Sequence, residues 1–256
     1  AYSTSLLVKA AEVLGKEEDL AAYSDLLQKI KIAFQDEFVS GKGRLSPHSQ
    51  TSYVLALHFG LLADDQRPYA LNYLIENIER RGYHLSTGFL GTPYLCHVLS
   101  DNGREDVAYR LLMQDTYPSW LYPISRGATT IWERWDGIKP DSTFQNEGMN
   151  SFNHYAYGAI GDWMYANVGG IRPGAPGYKH IIIAPKVNGD LNYANTSLES
   201  PYGKVATSWK RTDSQVNLEV TIPPNTTASV RLPGEDDRRL GSGTHQITYT
   251  ITMETN

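Results

Sequence analysis

The hydrophobic pattern of this 256-residue chain changes period once, near Val168, and that change limits what it can fold into. Upstream, apolar residues recur at the i, i+3, i+4 spacing of helices with one buried stripe. Leu6, Leu7, Ala10, Val13 and Leu14 form the first such run, and Gly15 stands where a helix terminator is expected. A second run over 17–38 lines up Leu20, Tyr23, Leu27, Ile30, Phe34 and Phe38. Further helical runs are predicted over 49–61, 66–81, 89–100, 103–114 and 145–166. Short turns such as SGKGRLSP and SDNG join them, so neighbouring helices should be antiparallel, as stacked helical hairpins.

Downstream, GGIRPGAPGYK is a Gly/Pro-rich stretch that no helix tolerates. Short apolar or alternating runs then recur: HIIIAP, NTSLES, GKVATSWKR, VNLEVTIP, ASVRLP and HQITYTIT. Each is bounded by Gly, Pro, Asn or Asp, the pattern of an antiparallel β-sandwich. Charge shifts at the same place: residues 1–168 carry 14 basic and 20 acidic side chains, whereas 169–256 carry 9 and 8. The expected division is a helical domain over 1–168 and a sandwich over 169–256.

Composition excludes several classes. A net charge of −5 argues against nucleic acid, which needs clustered positive charge. No run of about 18 apolar residues is present to span a membrane. The opening AYSTSLLVKAAEVLGKEE reads as an amphipathic helix, not an export leader, and periplasmic, extracellular and cytoplasmic locations all stay open. A single cysteine, Cys96, rules out an internal disulfide framework and reads as core within TPYLCHVL. Histidines 48, 58, 84, 97, 180 and 245 show no metal-ligand spacing, and no Gly-rich phosphate loop is found, so no metal or cofactor is expected.

Aromatic residues concentrate instead. Between Tyr117 and Tyr165 lie 11 of the chain's 28, including Trp120, Trp132, Trp135 and Trp163. At the centre is GATTIWERWDG, on no predicted helix, where two tryptophans flank Glu133. Asp136, Asn146, Glu147, Asn150, Asn153 and His154 follow within 21 residues of Glu133. Polar groups this dense among indoles suit a sugar, whose C–H faces stack on rings while its hydroxyls bond to carboxylates, amides and imidazoles. Blander readings stand beside this one. The tryptophans could fill a core, and Glu133 could pair with Arg134 or Arg126. A helical His154 could be a satisfied structural residue, whereas Ser151 or Asn153 as N-cap would put it in a first turn at the mouth of a helical barrel, a position that favours function. HLSTGFLGTPYL, with Thr87, Gly88 and Gly91, could be a functional turn or only the start of a helix. Trp209, alone on an alternating strand, reads as core.

Four segments, STGFLGTPYLCHVL, WLYPISRGATTIWERWDG, MNSFNHYAYGAIGDWMY and GIRPGAPGYKHIIIAPK, together resemble the C-terminal portion of bacterial α-L-rhamnosidases, in order and over nearly the whole chain. The resemblance implies a multidomain α and β protein: part of an (α/α)6 barrel of antiparallel helical hairpins, then an antiparallel β-sandwich. It also implies hydrolysis of terminal α-L-rhamnosyl groups with inversion, on rhamnose-containing glycosides or polysaccharides. An inverting pair of carboxyl groups stands roughly 6.5–9.5 Å apart, leaving room for a water. By the family's WExW motif, Glu133 is expected to be the general base, and His154 matches a rhamnose-contacting position. Trp132 and Trp135 are expected to wall the subsite, and Asp136 to orient Glu133 or bind a hydroxyl.

The family's general-acid motif lies upstream of the first residue here, and only seven of twelve barrel helices are predicted. The expectation is therefore a fragment with negligible activity alone, whose uncovered helix faces favour self-association. Two alternatives remain: another (α/α)6 glycoside hydrolase of trehalase or glucoamylase type, and a carbohydrate-binding module without catalysis.

Overall fold

The computed structural model describes residues 1–252, arranged as two compact units, Ala1–Tyr157 and Gly158 onward. The first contains α1 (Tyr2–Val13), α2 (Glu17–Phe38), α3 (Gln50–His58), α4 (Arg67–Arg80), α5 (Thr92–Asp101), α6 (Glu105–Leu112) and the short α7 (Leu121–Ser125). α1 packs on α2, α3 on α4, α5 on α6, and α3 on α5, which gives the helical hairpins expected. The starts follow local chemistry. Ser49 Oγ accepts the Ser52 N–H at α3, Glu17, Glu18 and Asp19 crowd the positive end of α2, and prolines open α4 and α5. Gly15 and Gly103 take positive φ (62° and 73°) and turn the chain between α1 and α2 and between α5 and α6.

Burial is uneven across this unit. α6 alone buries Val107, Ala108, Tyr109, Leu111 and Leu112, and α5 buries Leu95, Cys96, Val98 and Leu99. Burial pushes the Cys96 thiol up to about 12, so this cysteine is an inert core side chain. By contrast α2, at 22 residues, has no buried residue, and Leu6, Leu7, Val13, Leu14, Leu26, Ile32 and Phe38 are exposed. The SGKGRLSP turn is a small hairpin, β1 (Val39–Ser40) against β2 (Arg44–Leu45).

The helix predicted over 145–166 does not form as one element. Residues 145–155 are irregular, Ala156–Ala159 make a 3-10 turn, α8 is Ile160–Trp163, and Met164–Val168 continue as a π-turn. The cause is competition for the backbone: residues 151 and 154 bond across to 131 and 133, which removes them from any helix.

Gly158 onward forms two four-stranded sheets. One is antiparallel in the order β10 (Gly243–Thr250), β7 (Gln215–Ile222), β6 (Gly203–Thr212), β5 (Tyr193–Ser200). The other orders β3 (Ile171–Pro173), β4 (His180–Ile183), β8 (Thr227–Val230), β9 (Arg238–Leu240), with β4 and β8 parallel. The Gly/Pro-rich stretch thus contributes a strand, and β9 is an edge strand too short and charged to show in the pattern. Period-2 alternation buries Val205, Thr207 and Trp209 of β6, Val216, Leu218, Val220 and Ile222 of β7, and Ile181, Ile183, Ala228 and Val230 opposite. Trp209, at 1% exposure, is core as expected; its indole Nε1–H donates to Val168 O at 2.7 Å, and Thr207 Oγ donates to Gly169 O at 2.6 Å. Asn167 O accepts from the Lys186 N–H and Gly170 O from the Ala184 N–H. Among the described residues no helix is long and apolar enough to cross a membrane.

Candidate active site

The site is built on the irregular segment after α7, in the first unit. Its framework is a backbone pairing between 130–133 and 151–154. The Glu133 N–H donates to Ser151 O at 2.9 Å, the His154 N–H donates to Ile131 O at 2.8 Å, and Thr130 Oγ donates to Phe152 O. The Ser151 N–H returns to the Glu133 carboxylate, 2.9 Å from Oε2. Oε1 has no hydrogen-bond partner among the described residues, and Glu133 forms no ion pair among them. Arg134 Nε is spent on Met149 O (3.2 Å) and an Arg126 guanidinium N–H on Pro140 O (3.4 Å). Glu133 therefore presents one held and one free oxygen.

That free oxygen belongs to a side chain lining an open cleft of about 330 Å³, shared with Phe89, Arg134, Trp135, Asp136 and Tyr157. Trp135 stacks on Tyr157 (centroids 3.8 Å apart, planes 14° apart) and meets Trp120 edge-on at 5.5 Å. Trp120 is itself tied down, its Nε1–H donating to Tyr157 O at 3.0 Å. The Trp135 Nε1 is buried without a hydrogen-bond partner among the described residues, a donor left over in the wall of the site. Asp136 has no hydrogen bond or ion pair among the described residues, so the group that orients Glu133 here is the Ser151 N–H. Burial raises the Tyr157 hydroxyl above its ordinary range, Tyr117 and Glu133 adding to this and Arg134 opposing it. Tyr117 is raised by burial first and by Asp136 and Tyr122 next. Both phenols are thus neutral donors beside carboxylates at neutral pH.

Of the candidate residues, Glu133, Trp135 and Asp136 come together on the cleft. Trp132 does not line it: at 5% exposure it lies behind the loop, edge-on to Phe152 at 5.0 Å. Gly137 packs closely there: a Cβ would stand 3.1 Å from both the Trp132 and Phe152 rings, so a side chain would require these rings to shift by a few tenths of an ångström. His154 precedes the 3-10 turn instead of sitting in a helix. Its Nδ1 accepts the Ala156 N–H at 3.4 Å, a cap that neither Ser151 nor Asn153 supplies, and its ring lies between Phe89 (4.8 Å, 13°) and Tyr155 (5.5 Å, 3°). Asn146 folds its own turn, accepting the Gly148 and Met149 N–H groups, and Asn150 Nδ2 donates to Gly137 O.

Sequence reasoning missed Phe89 and Tyr157 as parts of the site. Phe89 sits in the STGFLGTPYL turn, which is the start of α5. Thr87 Oγ and Thr92 Oγ are bonded at 2.8 Å, and a Cβ on Gly91 would meet Thr87 and Thr51 at 2.9 Å. This turn is pinned, and it delivers an exposed phenyl ring to the cleft. No group of three or more His, Cys, Asp or Glu side chains suited to a metal assembles among the described residues.

Residues 1–168 match the family described as the bacterial alpha-L-rhamnosidase 6 hairpin glycosidase domain, and residues 170–247 match the bacterial alpha-L-rhamnosidase C-terminal domain. An alpha-L-rhamnosidase of Streptomyces avermitilis is 48% identical over 240 residues, which are 94% of this chain and 23% of that protein. One from Formosa agariphila is 47% identical over 94% of this chain and 26% of that protein. The crystal structure of the Streptomyces avermitilis enzyme complexed with L-rhamnose superposes with a TM-score of 0.93 at 44% identity, over 97% of this chain and 26% of that one. The native Aspergillus terreus enzyme gives 0.93 at 36% identity, over 96% and 29%. The chain thus spans about a quarter of the length of the curated relatives it matches.

Proposed function

The chain belongs to the bacterial α-L-rhamnosidase family, and from that premise we propose that its cleft takes a terminal α-L-rhamnosyl group and that Glu133 acts as general base for hydrolysis with inversion. The observation that supports this most is the state of the Glu133 carboxylate. One oxygen is fixed by the Ser151 N–H, and the other is unpaired on an open, aromatic-walled cleft. A water bonded to Oε1 would lose its proton to Glu133 as its oxygen attacks the anomeric carbon, and the bond to the aglycone oxygen would break on the opposite face. Trp135, backed by Tyr157 and Trp120, supplies a rigid apolar wall for the sugar's C–H face. Asp136 and Arg134 bind hydroxyls, and His154, held against Phe89, adds a further polar contact at the cleft's edge.

Inversion also needs a general acid across the sugar, and we assign none within these residues. The test is Glu133→Gln in the full natural polypeptide. Turnover of an aryl α-L-rhamnoside should fall by at least about 10²–10⁴-fold, the usual worth of a general base, while L-rhamnose affinity stays within a few-fold. Retained turnover would remove Glu133 from this role. Hydrolysis of an α-glucoside in preference would favour another glycoside hydrolase specificity.

A further inference from the structure

We propose that Phe89 is the specificity-determining residue of the cleft, forming the apolar end that receives the C6 methyl group of a 6-deoxyhexose. The inference rests on the rhamnoside reading of the site and adds which side chain selects the sugar. The cleft is chemically divided. Glu133, Arg134 and Asp136 can each bond a hydroxyl, while Phe89, Trp135 and Tyr157 supply aromatic rings. Two of those rings are less open than the third. Tyr157 is buried (7% exposed), and Trp135 has one face against it at 3.8 Å. Phe89 differs: it is 44% exposed, with one face stacked on His154 and its flank tilted against Tyr157 at 5.3 Å.

A phenyl ring open to water beside hydroxyl-binding groups, on a turn pinned by Thr87, Gly91 and Thr92, offers fixed apolar area whose cover by an apolar part of a ligand is favourable. On a hexose bearing hydroxyls on most carbons, the part that gains from such a surface is a carbon without one. L-Rhamnose carries that carbon at C6; L-mannose is the same sugar with a hydroxyl there. An apolar pocket discriminates against an added hydroxyl by about 10–100-fold, which is the size of selectivity one ring can supply.

The comparison of these two sugars separates selection from support. Phe89 also holds His154, so its loss would weaken any sugar, and only the ratio of affinities reports contact with C6. Calorimetric titration of the full natural polypeptide with L-rhamnose and with L-mannose should show rhamnose preferred, and Phe89→Ala should reduce that preference by about tenfold. Phe89→Tyr keeps the ring and its packing but adds a hydroxyl to the apolar end; it too should lower the ratio, by improving mannose. Ratios unchanged in both variants, with L-rhamnose still bound and turnover still dependent on Glu133, would overturn the role of Phe89 and leave the site reading intact. Failure of the unsubstituted protein to bind either sugar would overturn both.

Discussion

Glu133 and Ser151 are joined twice through the Ser151 backbone: the Glu133 N–H reaches Ser151 O at 2.9 Å, and the Ser151 N–H reaches Glu133 Oε2 at 2.9 Å. The proposed base is thereby aimed by a peptide group, not by a side chain. Ser151→Pro deletes the donor and should lower kcat by about 10²-fold with KM little changed, as expected when a reacting group is displaced by an ångström or so. Ser151→Ala keeps the N–H, losing only the bond from the Asn153 N–H to Ser151 Oγ, and should stay within a few-fold of the unsubstituted protein. Steady-state kinetics on an aryl rhamnoside, with circular dichroism to confirm folding, checks both; equal losses in the two variants would assign Ser151's effect to its hydroxyl.

The 256 residues alone should bind sugar poorly and turn it over hardly at all. On our reading they hold the proposed base and no acid, and a missing general acid costs about 10²–10⁴-fold. Turnover by this chain within tenfold of an intact relative would show that a second carboxyl in it does that work.

Self-association of this chain should run through α1 and α2. Val13 and Leu14 are 85% and 69% exposed, and α2 buries nothing fully. Light scattering should find species above the 28.6 kDa monomer whose fraction rises with concentration. Replacing Val13 and Leu14 with Glu and Gln should shift them to monomer. A monomer at all concentrations before substitution would count against it.

Acid should loosen the first unit partly through Asp106. Burial favours its protonated form, but the two-point bond from Arg104 (2.9 Å at both oxygens), with that charge, outweighs burial and holds the carboxyl below its ordinary range. A group depressed in the folded state stabilises above its unfolded value, about 3.9, and loses that contribution as pH falls through the folded one. Asp106→Asn should therefore destabilise at pH 6 to 7 and flatten the fall in Tm below about pH 4. Parallel Tm curves for the two proteins would remove Asp106 from the acid response.

Local periodicity made α1 to α6 and most of the sandwich legible, because in each the apolar stripe is set by the element's own geometry. α7 was not visible: five residues carry less than two turns, and Pro123 sits inside them. The run around His154 misled because small and apolar residues at helical spacing cannot reveal that residues 151 and 154 bond to the strand-like 131 and 133. Glu133, Trp135 and Asp136 could be read from the density of polar groups among indoles. Trp132 and Trp135 flank Glu133 closely in sequence, and nothing in that spacing tells that Trp132 is buried while Trp135, where the chain turns over 134–137, lines the cleft. Phe89, 44 residues before Glu133, joins the site through tertiary packing alone.

Trp209 and Thr207 have a consequence for anyone cutting the molecule in two. The family match resumes at residue 170, yet both buried donors terminate on the carbonyls of residues 168 and 169. A sandwich excised at 170 would strand an indole and a hydroxyl in a dry interior, at roughly 1–3 kcal/mol each. Scissors placed before Gly158 spare them, so the short helical tail is better regarded as the sandwich's own plug than as the last piece of its neighbour.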